Sequence, residues 1–82
     1  MSKPVLLDFF ADWCGPCKRQ GPILEDLKQK MGDKVEIRKI DVDQNMELAN
    51  KYSIRVVPTL IIEKDGKVIR TLEGVTSAES LE

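Results

Sequence analysis

The order of hydrophobic and polar positions in the first third of the chain predicts a buried strand followed by a long helix. Residues 4–11 are apolar on both parities apart from Asp8, which is typical of a strand covered on both faces of a parallel sheet. Residues 14–31 carry apolar side chains at helical spacing, and Gly32 is well placed just past the helix end. Pro22 predicts a kink inside this helix; the alternative is that the helix begins at Gly21.

The middle of the chain predicts a second strand and a short second helix. Residues 35–42 begin by alternating apolar and charged side chains, as a half-exposed or edge strand does. Residues 44–52 predict the short helix, for which Asp43 is a candidate cap.

The last third predicts a hairpin and the start of a helix. Two apolar runs, residues 59–63 and 68–72, flank an Asp-Gly turn, which is the strongest short-range signal for an antiparallel hairpin. Gly74 is expected to end the second strand. Residues 76–79 read as a capping box that opens a final helix.

The element order is therefore βαβ, α, ββ and the start of an α. A helix joins the first two strands, so they should run parallel with a right-handed crossover, whereas the hairpin strands are antiparallel. This predicts an α/β fold with a mixed four-stranded sheet and helices on its faces, forming a single domain over residues 1–82.

Composition excludes several classes of function. The chain has 82 residues, two cysteines and no histidine, so there is no His-ligated zinc site, no Ser-His or Cys-His pair and no four-cysteine metal site within one chain. A net charge of -1 gives no electrostatic case for nucleic acid or an anionic membrane as partner. The apolar run near the N-terminus is too short to span a bilayer, so we expect a soluble protein.

The chemistry is concentrated in a Cys-X-X-Cys motif between the first strand and the first helix. Cys14 falls at the helix N-terminus, where unpaired amides and the helix dipole favour a thiolate. Cys17 lies one turn later on the same face, so the two sulfurs can form a small disulfide ring. Pro16 suits the first helical turn, and Gly15 leaves space beside Cys14 for another backbone.

Three interpretations of this pair remain open from the residues themselves. The favoured one is a redox-active dithiol. A structural disulfide would add little stability because the loop is so short. A metal site would require two more thiolates from a second chain.

Asp8 is unusual because it interrupts the apolar strand on the same parity as Leu6 and Phe10. A buried carboxylate is costly unless it is paired or protonated, and such a group can exchange a proton with a thiol. Lys39 shares the apolar parity of its own strand and could reach toward Asp8. The alternatives are an exposed Asp8 that pins a backbone turn and a surface Lys39 that extends into solvent.

Taken together, the motifs and their order along the chain resemble those of the thioredoxin family. The resemblance covers almost the whole chain and rests on Val5 to Lys18, Pro22, Lys39 to Asp43, Val57-Pro58-Thr59, Asp65-Gly66 and Gly74. It implies a thioredoxin-like fold and a protein-disulfide reductase that exchanges thiols and disulfides.

The resemblance also implies a role for each matched position. Cys14 resembles the attacking thiolate and Cys17 the resolving thiol. Asp8 resembles the buried aspartate that helps to move the proton at Cys17, with Lys39 as its partner. The residues that resemble the substrate surface are Trp13, Gly15, Pro16, Val57, Pro58 (the family's cis-proline), Thr59 and Gly74. Trp13, taken without the family, could equally be a core residue.

The resemblance implies partners but no cofactor. The sequence contains no nicotinamide or flavin signature, so electrons are expected from a separate thioredoxin reductase-type donor, and the substrates are disulfide-containing proteins. A cytoplasmic location is expected. The competing functions are a thioredoxin-like scaffold or metal-bridging module without significant turnover, and an oxidase or isomerase variant.

The chain departs from the family at both ends. Most thioredoxins have an extra strand and helix before the position of Pro4, which makes the strand at 35–42 an expected sheet edge here. The final helix is also expected to be short.

Overall fold

The computed structural model describes residues 3–74, which form four strands, two α-helices and one turn of 3-10 helix. The predicted element order is confirmed over this range, and the strand and helix limits differ from the predicted ones by one or two residues. The elements are β1 (Val5–Phe10), α1 (Gly15–Met31), the 3-10 turn (Gly32–Lys34), β2 (Glu36–Asp41), α2 (Met46–Lys51), β3 (Thr59–Lys64) and β4 (Lys67–Glu73). The predicted final helix at 76–79 lies outside the described residues.

The four strands form one mixed sheet in the order β2-β1-β3-β4. β1 and β2 pair in parallel, whereas β3 pairs antiparallel with both β1 and β4. The β1–β2 pair is parallel because α1 forms the crossover between the two strands. The β3–β4 pair is antiparallel because a tight turn joins them at Asp65 and Gly66, both of which have positive φ. The predicted fold class is confirmed, and within residues 3–74 β2 lies at an edge of the sheet as expected.

Successive side chains of β1 point to opposite faces of the sheet, and both faces are covered by other elements. Leu6 packs with Leu24 and Leu27 of α1 on one face, whereas Phe9 packs with Ile61 and, at 5.5 Å between ring centroids, with Tyr52 on the α2 face. The strand is therefore apolar on both parities because both of its faces are covered. This leaves Asp8 on the α1 face, inside the protein.

Helix α1 is continuous through Pro22, so the alternative start at Gly21 is wrong. Its cap is Cys14, in extended conformation, and Gly32 ends it with a φ of 55°. A left-handed φ of this kind favours glycine, which explains why the helix stops there.

The predicted cap of α2 is wrong. The residue that precedes α2 is Asn45, which makes no side-chain capping bond, and Asp43 lies two residues earlier. The Asp43 carboxylate instead accepts a hydrogen bond from the indole of Trp13 at 3.0 Å. Asp43 therefore ties the loop after β2 to the segment before α1.

Candidate active site

The two cysteines lie where β1 passes into α1. The sulfur of Cys14 accepts a hydrogen bond from the backbone N–H of Cys17 at 3.2 Å, so it caps the first turn of the helix. The Cys14 N–H donates to the Ala11 carbonyl at 3.1 Å, which fixes the turn before the helix. Both thiols are free. Cys14 is 4% exposed and Cys17 is 7% exposed.

A second segment, Val57 to Thr59, faces the cysteines from the start of β3. The Cys14 thiol donates to the Val57 carbonyl at 3.5 Å, and the Val57–Pro58 peptide bond is cis, as the resemblance implied. The Gly74 N–H donates to the Pro58 carbonyl at 2.9 Å, and the Thr59 hydroxyl donates to the Val56 carbonyl. These contacts bring Val57, Pro58, Thr59 and Gly74 to the same end of the sheet as Cys14.

The environment of Cys17 disfavours its thiolate. Burial raises the pKa of this thiol to about 11, and the hydrogen bond with Cys14 and the nearby charge of Asp8 act in the same direction, against a smaller opposing effect of the Ala11 backbone. Cys17 therefore holds its proton at neutral pH unless a base removes it during reaction.

Asp8 is a buried carboxyl near Cys17, and both residues line the same cavity. Asp8 lies in the middle of β1 and is 3% exposed, so the alternative of an exposed turn residue is wrong. Its Oδ1 atom has no hydrogen-bond partner among the described residues. Burial raises the pKa of Asp8 to about 6, and the charge of Lys39 partly opposes this shift. The carboxyl thus changes its protonation state close to neutral pH.

Lys39 lies beside Asp8, although its side chain is exposed. The two residues are register partners on the parallel strands β1 and β2. Both also line a cavity of about 300 Å³ that Cys17 borders. Lys39 is therefore both a surface lysine and a neighbour of Asp8, so the two sequence alternatives for it are compatible.

The Asp8 cavity contains two charged residues that sequence reasoning did not select. Asp12 and Lys18 line it together with Asp8, Cys17 and Lys39. Lys18 follows Cys17 directly in α1, and Asp12 precedes the cysteine motif, so their closeness to the motif was the available signal. Both residues are exposed, so this cavity is bordered by charged surface residues.

Trp13 lies on the surface next to the cysteines rather than in the core, with 71% of the residue exposed. Its indole is held by Asp43, and it lines a second cavity of about 240 Å³ with Val57 and Arg55. Gly15 and Pro16 are exposed as well, and a Cβ atom added to Gly15 would meet no atom within 4 Å. This part of the surface is open to a partner chain.

The comparisons with known proteins agree with this geometry. A family model described as Thioredoxin matches residues 1–82. The chain belongs to the thioredoxin family. It is 54% identical over 78 residues to thioredoxin from Bacillus subtilis, covering 95% of this chain and 75% of that protein. It is 42% identical over 78 residues to thioredoxin from Listeria monocytogenes, covering 95% and 76%.

Solved structures of thioredoxins have the same fold. The crystal structure of Fasciola hepatica thioredoxin superposes with a TM-score of 0.89 at 40% identity, covering 96% of this chain and 75% of that one. As thioredoxins are thiol-disulfide oxidoreductases, this chain is an enzyme of that class. Neither α1 nor α2 has the length and apolar character required to cross a bilayer. Within residues 3–74, no group of three or more cysteine, aspartate or glutamate side chains is arranged to hold a metal ion.

Proposed function

We propose that this thioredoxin-family chain is a protein-disulfide reductase in which Cys14 attacks and Cys17 resolves. The observation that supports this division most directly is the position of the Cys14 sulfur at the start of α1, where it accepts the Cys17 amide. An amide hydrogen bond and the helix dipole both favour a negatively charged sulfur there. Cys17 is less suited to be the attacking thiolate, because burial raises its pKa to about 11.

The proposed reaction passes two electrons to the substrate in two exchange steps. The Cys14 thiolate attacks one sulfur of a substrate disulfide, forms a mixed disulfide and releases the other substrate sulfur as a thiolate, which takes a proton. Cys17 then loses its proton and attacks the Cys14 sulfur. This step releases the second substrate thiol and leaves a Cys14–Cys17 disulfide in the enzyme.

Asp8 is proposed to accept the proton that Cys17 loses. The two side chains border the same cavity, and the pKa of Asp8, raised to about 6, leaves most of the carboxyl ionised at neutral pH. Lys39 is proposed to act through Asp8 as a positioning residue, since its charge lowers the Asp8 pKa that burial raises. The cavity gives water a way to carry the proton out.

The substrate is proposed to dock on the surface around the cis-proline. The Val57 carbonyl already faces the Cys14 sulfur, so the backbone of this segment is placed to pair with an extended substrate next to the reacting disulfide. The other proposed contacts are Trp13, Gly15, Pro16, Pro58, Thr59 and Gly74.

The proposed cycle requires partners but no bound cofactor. Disulfide-containing proteins are the substrates, and a separate thioredoxin reductase-type donor returns the Cys14–Cys17 disulfide to two thiols. A reducing compartment such as the cytoplasm suits this direction of exchange. Both the partners and this location stay predictions.

Reduction of insulin disulfides tests the proposal. Insulin is mixed with dithiothreitol, with and without the protein, and precipitation of the freed chains is followed by turbidity. We expect the protein to accelerate precipitation well above dithiothreitol alone and Cys14→Ser to abolish the acceleration. Turnover no faster than dithiothreitol alone, unchanged by Cys14→Ser, would instead favour the scaffold or metal-bridging alternative. A reduction potential far above the cytosolic range would favour an oxidase or isomerase.

A further inference from the structure

Two side chains of opposite charge flank the segment that faces Cys14. Arg55 precedes Val57 by two residues and lines the cavity beneath Trp13. Glu73 ends β4 on the other side, where it is the register partner of Thr59. Both side chains are exposed.

The backbone holds Glu73 beside the cis-proline. Its neighbour Gly74 donates its N–H to the Pro58 carbonyl at 2.9 Å. Directly opposed residues of an antiparallel pair lie about 5 Å apart and project to the same face of the sheet. Glu73 therefore projects with Thr59 to the face that carries α2, which is also the face of the Trp13 cavity.

This position brings the Glu73 carboxylate close to any chain that reacts with Cys14. The Cys14 thiol contacts the Val57 carbonyl, so a disulfide at that sulfur lies next to the segment that Glu73 borders. Charges at physiological salt still interact over a screening length of about 8 Å, so a charge at the border of this segment can act on a docked chain. Asp43 is a second carboxylate on this surface, where it accepts a hydrogen bond from the neutral Trp13 indole. Glu73 is exposed and borders the segment itself, so its carboxylate is open to a docked substrate.

Building on the proposed reductase function, we propose that Glu73 is a specificity-determining residue. It favours target disulfides in which a lysine or arginine lies next to the attacked cysteine, and it disfavours those with an acidic residue there. Charges at the rim of an interface act mainly on the association rate and are weakened by salt. Arg55, two residues before Val57, has the opposite sign, so the effect of Glu73 is expected at one flank of the attacked cysteine rather than at both.

Matched disulfide peptides test this inference. The first pair consists of two peptides, each with one internal disulfide, that differ only in whether a lysine or a glutamate precedes one of the cysteines. In the second pair, the lysine or glutamate follows that cysteine instead. Second-order rate constants for reduction by the fully reduced protein are measured by alkylation quench and mass spectrometry. Each rate constant is divided by the rate constant for reduction of the same peptide by dithiothreitol, because a neighbouring charge itself changes the reactivity of a disulfide.

For one of the two pairs, we expect the lysine peptide to react about threefold to tenfold faster than the glutamate peptide at low salt, as pairing and repulsion at a rim each change rates by small factors. The preference should shrink in 0.5 M salt, fall below about twofold in Glu73→Gln and reverse in Glu73→Lys. Glu25→Gln is the matched control, since Glu25 is an exposed carboxylate of α1 eight residues beyond Cys17.

Two results would separate the possible failures. If the wild-type protein reduces both peptides but the ratio is the same in Glu73→Gln and Glu73→Lys, Glu73 does not determine specificity while the reductase function stands. If the wild-type protein reduces neither peptide nor insulin, the proposed function itself is wrong.

Discussion

Asp8 and Lys39 lie opposite each other on adjacent parallel strands, and both line the cavity that Cys17 borders. Burial favours the protonated form of the Asp8 carboxyl, whereas the ammonium group of Lys39 favours its ionised form. The balance of these two effects sets the pKa of Asp8 at about 6. A base with this pKa is suited to proton transfer near neutral pH.

Replacing Asp8 with asparagine should slow the resolving step at neutral pH. The rate of this step in the wild-type protein should rise as pH increases through about 6, because Asp8 becomes able to accept the Cys17 proton. In Asp8→Asn this rise should disappear, and the rate at neutral pH should fall about tenfold or more, in line with the effects of general bases. Stopped-flow measurement of substrate release from a preformed mixed disulfide over pH 5 to 9 gives the profile.

The control for this experiment is Asp33→Asn, which removes an exposed aspartate beyond the end of α1. It should leave the pH profile unchanged. An Asp8→Asn profile that matches the wild type would show that Asp8 is not the proton acceptor.

The same substitution should stabilise the folded protein above about pH 6. Because the pKa of Asp8 is raised from 3.8 to about 6, the native state binds this proton more tightly than the unfolded state. The associated stability is fully present below pH 3.8 and is lost as pH rises through about 6. Asp8→Asn should therefore raise the free energy of unfolding at pH 7 to 8 by up to about 3 kcal/mol, since each pKa unit corresponds to about 1.4 kcal/mol.

Urea unfolding at pH 4 and pH 8 measures this difference. The gain in Asp8→Asn should be clearly larger at pH 8 than at pH 4. Equal changes at the two pH values would mean that folding does not raise the pKa of Asp8.

Removing the charge of Lys39 should shift the Asp8 titration upward. Lys39→Gln eliminates the cation that lowers the Asp8 pKa, so this pKa should rise above about 6. NMR titration of the Asp8 carboxyl carbon reports it directly. Arg38→Gln is the control, because Arg38 is the adjacent charge on β2 and pairs with Glu36. An equal shift in both variants would indicate a general charge effect rather than a specific pair.

Much of this site is predictable from the sequence because local rules dominate it. The helix start at Cys14 follows from the strand-to-helix pattern and from Pro16. The burial of Asp8 follows from its place on the parity of Leu6 in a strand with two covered faces. The edge position of β2 follows from its charged residues, within the sheet that the structure describes.

The parts that were missed depend on long-range placement. The hydrogen bond from Trp13 to Asp43 joins residues 30 positions apart, so no local pattern distinguishes it from a helix cap by Asp43. Asp12 and Lys18 line a cavity with Asp8 and Lys39, residues of two other elements, so their placement there depends on the tertiary fold. Parity placed Lys39 correctly beside Asp8 but could not show that its side chain also reaches solvent.

Ser53 adopts a left-handed backbone conformation, with a φ of 55°, in the turn after α2. A residue with a side chain is strained there by about 1 to 2 kcal/mol, whereas glycine is not. Glycine loses more conformational entropy on folding, which offsets part of the relieved strain, so Ser53→Gly should raise the free energy of unfolding by a net amount of about 0.5 to 1 kcal/mol. Thermal unfolding gives the change.

Asp65 has a similar φ of 56° in the hairpin turn and is the comparison site. Aspartate tolerates this conformation better than serine, so Asp65→Gly should gain less. A loss of stability in Ser53→Gly would show that the serine side chain contributes contacts that outweigh the strain.

Trapping of the mixed disulfide tests the central claim most directly. Reduced Cys17→Ser and Cys14→Ser proteins are each mixed with a disulfide substrate, quenched with acid and alkylated, and examined by intact-mass and peptide mass spectrometry. The account predicts a stable adduct of Cys17→Ser joined through Cys14, because the thiol that would release the substrate is absent, and little or no adduct of Cys14→Ser. No adduct on Cys17→Ser, or an equal amount on Cys14→Ser, would contradict the assignment of Cys14 as the attacking sulfur and Cys17 as the resolving one.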